Sequence, residues 1–296
     1  MLGLFLRFSS VSLFAIMAAT AKYLGGRIPA GEIMAVRSAV GVATIVGLAW
    51  HTRNLQLLRT QNLGSHALRS SFGTFATFTW FLALNLIPIA DATAISFAGP
   101  IFATLLAAPL LRERIRAHRW LAVALGFGGV LVMTRSHLGH ADASAAGALL
   151  ALLCALFSAL SVIFLRQMSR TEHPLTTTFY YSVTSLLWAA VTAGWGWPVP
   201  SGRDCLFLLL IGALGTSAQF LMTAALRYGE ASILAPIEYT GIVVAAVLGY
   251  ALFGDIPGVW IWLGTPLVGV AGLIIIWGEY RPPLPRRRAR MVFSDS

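Results

Sequence analysis

The sequence predicts an all-α integral membrane protein with ten transmembrane helices in two inverted five-helix repeats. Three observations carry that prediction. Apolar runs of about 20 residues recur along the chain, basic residues collect in alternate loops, and the second half repeats a pattern of the first.

The runs come first. The 296 residues are 57% hydrophobic and 11% charged, whereas soluble domains carry roughly a quarter charged residues. Each run can cross a hydrocarbon layer of about 30 Å at a rise of about 1.5 Å per residue. Spans are predicted near residues 4–24, 30–50, 68–87, 89–110, 117–134, 146–166, 175–195, 205–226, 231–253 and 258–278. The short connections leave no room for an inserted soluble domain. MLGLFLRFSSVSLFAIMAATA has the outline of a signal peptide. It is predicted to stay as the first span, because its apolar stretch is long for such a segment, Arg7 is its only early charge, and a later segment repeats it. The proline- and arginine-rich residues 280–296 cannot build a core and are predicted to form a disordered tail.

Loop charge sets the orientation. The formal charge of +10 is unevenly placed. One side collects Arg7, Arg53, Arg59, Arg69, Arg112, Arg114, Arg116, Arg119, Arg166, Arg170, Arg227 and the tail arginines; the other holds Lys22, Arg27, Arg135 and Arg203. Positive residues favour the cytoplasmic side, which predicts a multi-pass protein of the inner (plasma) membrane with both termini cytoplasmic. The basic balance then reflects topology and anionic lipid, so no nucleic-acid partner is expected.

The repeat supplies the architecture. GTFATFTWFLALNLIP, from Gly73, lies over GTSAQFLMTAALRYGE, from Gly215, at an offset of 142 without a gap. The same offset places Gly99 on Gly241, Glu113 on Asp255 and Trp120 on Trp262, and at 143 LFAIMAATAK resembles LFSALSVIFLR. The halves are read as residues 1–144 and 145–279. An odd number of spans per half makes the second enter the membrane from the opposite side. Inverted repeats are typical of secondary carriers, with a substrate site near the midplane exposed alternately to either face.

The segment IPIADATAISFAGPIFATLLAAPLLRERIRAHRWLAVALGFGGVLVM and its partner APIEYTGIVVAAVLGYALFGDIPGVWIWLGTPLVGVAGLIII resemble the two EamA-type halves of the drug/metabolite transporter superfamily. EYT, FGD and IPG are similar to the subgroup containing S-adenosylmethionine and riboflavin uptake carriers. The resemblance implies a basket of ten helices whose cavity is lined mainly by spans 1, 3, 4, 6, 8 and 9, with spans 5 and 10 peripheral. Asp255 stands where that pattern usually has Glu.

Glu238 lies about eight residues into span nine, roughly 10 Å below the predicted cytoplasmic boundary. A charge at that depth faces a cavity or a partner. Pro236 frees a backbone carbonyl beside it. Glu238 is therefore the candidate for proton coupling or for pairing with substrate charge, against a structural role as interhelical glue. The repeat sets Ser96 opposite Glu238 and Phe97 opposite Tyr239, and Gln219 opposite Thr77, with Trp80 on the face of Thr77. These seven residues, Glu238, Tyr239, Gln219, Thr77, Trp80, Ser96 and Phe97, are the candidate substrate-binding set. Tyr180 and Tyr181 read as an interfacial belt. Arg37 either binds an anionic group of the substrate or sits in an ion pair with Glu32 or Asp91. Glu113 and Asp255 read as helix-start partners for exposed amides. Gly126, Gly128, Gly129, Gly269 and Gly272 are expected to pack spans five and ten onto their own halves.

His137, His140 and Asp142 read as an outer loop rather than a metal site, and Cys154 with Cys205 carries no pairing signature. Catalytic and phosphate-loop motifs are absent from the sequence. The expectation is a non-enzymatic secondary transporter, without cofactor or metal, that moves a small amino-acid-, nucleoside- or flavin-like metabolite by alternating access. It is expected as a monomer or weak dimer in the bilayer. An exporter of the same fold, an integral membrane enzyme and a scaffold are the alternatives.

Overall fold

Runs of apolar residues punctuated by proline and glycine fold as helices wherever backbone amides must bond within the segment. The computed structural model describes residues 2–99, 101–103, 105–106, 117–134, 143–168, 171–228, 237–238 and 240–280. Its α-helices are α1 (Leu2–Leu24), α2 (Ala30–His51), α3 (Leu63–Leu84), α4 (Ile89–Ser96), α5 (Ala117–Thr134), α6 (Ala143–Met168), α7 (Pro174–Val191), α8 (Gly202–Tyr228), α9 (Thr240–Phe253) and α10 (Val259–Tyr280). Pro29 and Pro88 precede α2 and α4, and Pro174 opens α7, where the missing amide is no loss. Pro236, Tyr239, Glu113, His137, His140, Asp142 and the tail from residue 281 lie outside the described residues.

Among the described residues, four helices, α1, α2, α6 and α8, are long and apolar enough to cross a membrane. α3 and α7 are less apolar because they carry His66, Arg69, Ser70, Thr74, Thr77 and Thr176, Thr177, Thr178, Ser182, Ser185. Those polar side chains point inward, while Leu187, Leu209, Val247, Trp262 and Leu273 stand exposed. Polar inside and apolar outside inverts a soluble protein's pattern and suits a lipid surround.

Packing follows an exchange rule between the halves. α1 packs on α8 as α6 packs on α3; α2 packs on α8 as α7 packs on α3; α1 meets α9 as α6 meets α4. α2 with α7, α4 with α9, and α5 with α10 pair with their own counterparts.

The last pair corrects the expected role of the span-five and span-ten glycines. α5 and α10 pack chiefly on each other, while Gly126 of α5 also faces Ile101 of its own half. A Cβ on Gly129 would stand 2.9 Å from the Gly264 carbonyl oxygen, and one on Gly264 would stand 2.5 Å from the Gly129 oxygen. The two backbones touch because neither residue has a side chain. Gly128 and Gly269 face open space.

His173 caps α7: its Nδ1 accepts from Leu175 N at 3.2 Å, which requires the neutral ring. Burial, and after it the Arg227 charge, pushes its pKa below the usual range. The unfolded ring takes up a proton below about pH 6.5 while the folded one resists, so stability is present above that pH and is lost on acidification. The melting temperature of the native chain is expected to fall more between about pH 7.5 and 5.5 than that of His173→Asn, a cap that does not titrate in this range. Equal slopes in thermal scans would refute this.

Candidate functional site

Buried polar groups concentrate where α2, α3 and α7 meet, with α6 and α8 closing the sides. Tyr181 of α7, only 4% exposed, is the hub. Its hydroxyl lies 2.8 Å from Thr77 Oγ1, accepts from Arg37 Nη1 at 3.4 Å and reaches the Gly73 carbonyl at 3.4 Å. The guanidinium carbons of Arg37 and Arg69 lie 5.4 and 4.7 Å from its ring centroid, within cation–π range. Ser161 of α6 donates to the Arg69 carbonyl at 3.0 Å, and Thr74 and Ser185 share a bond of 2.6 Å.

Glycines make the close approaches possible. A Cβ at Gly73 would come 3.0 Å from the Tyr181 ring, and one at Gly215 on α8 would collide with Arg37. Gln219 lies one turn along α8 from Gly215. It is buried, and its Nε2 donates no hydrogen bond.

Several expectations change here. Tyr181 is no interfacial belt residue; Tyr180 is the outer of the two, its ring tilted against that of His66 at 4.7 Å between centroids. Arg37 has neither Glu32 nor Asp91 within ion-pair distance and rests on Tyr181 instead. Arg69, counted among the loop cations, is buried to 2% because α3 begins at Leu63 and places it in the second turn. The polar cluster also draws on spans 2 and 7, beyond the set that the family resemblance implied. The only sequence signal for Arg69 and Tyr181 was their place within segments rich in serine and threonine.

Glu238 lies away from this cluster, and its carboxylate pairs with Arg7 of α1. Arg7 was read as a topological charge, yet its side chain is 13% exposed. At the other end of α1, Lys22 Nζ bonds Asp255 at 2.5 Å and the Ile87 carbonyl at 3.4 Å. Asp255 thus binds a lysine rather than the amides of the next helix. Gly254, at φ +68°, turns the chain back so that it can. Between these ends, Ser10 donates to the Ala218 carbonyl at 2.7 Å. α1 is therefore tied by charge at both ends to the α9 segment.

The remaining candidates scatter. Ser96 donates to the Thr93 carbonyl of its own helix at 2.7 Å and is spent there. The Phe97 ring approaches Gly241, where a Cβ would be 3.8 Å away, so spans four and nine do meet. Trp80 packs into the apolar core beside Phe81. Near the Lys22 end, a cleft of about 400 Å³ opens between Arg27, Phe78, Leu82, Asn85 and Trp195.

The EamA-like transporter family model matches residues 1–135 and 145–278. An S-adenosylmethionine uptake transporter of Rickettsia prowazekii is 27% identical over 259 residues, covering 87% of this chain and 86% of that protein. A pseudopaline exporter of Pseudomonas aeruginosa is 30% identical over 262 residues, covering 87% and 90%. A riboflavin transporter of Vibrio cholerae is 27% identical over 260 residues, covering 86% of each. A solved crystal structure shares the fold with a TM-score of 0.64 over 92% of this chain and 96% of that one, at 20% identity.

Proposed function

The chain belongs to the EamA-like transporter family, and from that premise we propose that it is a secondary active carrier of a small organic metabolite working by alternating access. Residues 1–144 and 145–279 form two inverted repeats in the inner membrane, with both termini in the cytoplasm and residues 280–296 as a basic tail. The exchange rule among helix contacts and the unequal loop charge support this arrangement. It works as a monomer or weak dimer, without nucleic acid, and needs no cofactor or metal.

One observation carries the reading: a buried polar cluster inside an apolar exterior takes Arg37, Arg69 and Thr77 from the first half and Ser161 and Tyr181 from the second. A site shared between halves changes its access when the halves rock. Thr77, Gln219 and Tyr181 supply its hydrogen bonds, and Phe97 lines the approach where spans four and nine meet. Arg7 with Glu238 and Lys22 with Asp255 act as two latches on α1, one toward each face. Opening one face releases one latch. Glu238 then exchanges Arg7 for a proton, which couples the cycle to the proton gradient.

The substrate is amino-acid-, nucleoside- or flavin-like, as the named solutes of the relatives suggest. Because one relative is named an exporter, export is the second reading. A thermal-shift screen of the purified chain against amino acids, nucleosides, riboflavin and S-adenosylmethionine is expected to raise the melting temperature for one solute class. The same solute should show counterflow in proteoliposomes, and its flux direction in oriented vesicles separates uptake from export. A chain that moves none of these solutes would defeat the carrier reading.

A further inference from the structure

We propose that the substrate carries an oxyanion, a carboxylate or phosphate, held between the guanidinium groups of Arg37 and Arg69 beside the Tyr181 ring. This deepens, and rests on, the carrier reading. Arg37 is 3% and Arg69 2% exposed. Among the described residues neither has a carboxylate within 4.0 Å. Arg37 Nε and Arg69 Nε and Nη1 are buried and donate no hydrogen bond.

Two like charges so placed are costly. Buried cations are ordinarily paired with anions, and here two of them converge on one aromatic ring. The ring faces and the Tyr181 hydroxyl relieve part of this. They leave Arg37 Nε and Arg69 Nε and Nη1 unfilled, and guanidinium donors match the geometry of a carboxylate or phosphate. The Ser38 and Ser70 hydroxyls, next in the chain to the two arginines, are likewise buried without a partner. The site straddles the halves, since both arginines come from the first and the tyrosine from the second. An oxyanion there neutralises the pair and draws α2, α3 and α7 together.

The test uses the full chain in nanodiscs and matched probes that differ in the anionic group. These are S-adenosylmethionine against its decarboxylated analogue, riboflavin against riboflavin 5′-phosphate, and acetate and inorganic phosphate against chloride at equal ionic strength. The anionic member is expected to raise the melting temperature where its partner does not, and Arg37→Gln and Arg69→Gln are each expected to abolish that difference. The carboxylate and phosphate arms show which oxyanion fits. If a glutamine variant fails to fold, Arg37→Lys and Arg69→Lys keep the charge and are expected to retain the anion preference at reduced affinity. Absence of an anion-specific shift with every probe, or its persistence in both glutamine variants, overturns the proposal. Counterflow keeps the two readings apart: a solute that still moves without regard to either arginine removes this proposal alone, whereas no movement of any solute removes the carrier itself.

Discussion

Glu238→Gln is expected to reduce transport by at least about tenfold, a barrier change of about 1.4 kcal/mol, and to flatten its dependence on external pH. The amide cannot take up a proton, and it leaves Arg7 with a neutral partner. The side chains of the pair are 13% and 34% exposed. Its loss should therefore cost less than the 3–5 kcal/mol of a fully buried pair and more than the about 1 kcal/mol of a surface one. Arg7→Glu alone sets two carboxylates against each other and is expected to be less stable than Glu238→Gln. Combined with Glu238→Arg it restores opposite charges, so the double reversal should recover most of the melting temperature without recovering the pH profile. Proteoliposome counterflow across a pH series, with thermal scans of the same preparations, reads both effects. Unchanged flux and pH dependence in Glu238→Gln would remove both the latch and the proton-coupling role.

Gly264→Leu is expected to give the largest loss of fold. Its Cβ would meet the Gly129 carbonyl oxygen at 2.5 Å, a backbone atom that cannot swing aside. Separating α5 from α10 costs about 1–3 kcal/mol as overpacking and also forfeits the contacts along the rest of the seam. Gly129→Leu should behave alike. Gly128→Leu and Gly269→Leu, whose new side chains enter open space, should leave the melting temperature nearly unchanged. Equal melting temperatures for Gly264→Leu and Gly269→Leu would show that the seam is not the close contact described.

The glycines illustrate how far pattern reading extends. Their clustering in two apolar segments announces that some helix comes close, but not which one. The partner depends on the rotation of each helix about its axis, which the segment's own sequence does not specify. The same limit applies to Tyr181. A tyrosine pair near the start of a span reads as a belt until α3 is seen to begin earlier and to bring Arg69 level with it. Ser96 is the converse case: it looked like the mate of Glu238, yet a hydroxyl can always find a carbonyl three or four residues back on its own helix.

Run length, loop charge and internal repetition are additive along the chain, so the helical membrane class could be read residue by residue. The pairing of Glu238 with Arg7 and of Asp255 with Lys22, and the meeting of two arginines on one tyrosine, join residues far apart in the chain. Such meetings are set by which helix faces pack together. Burial then decides their energy, because a charge removed from water must find its partner across an interface that no single segment encodes.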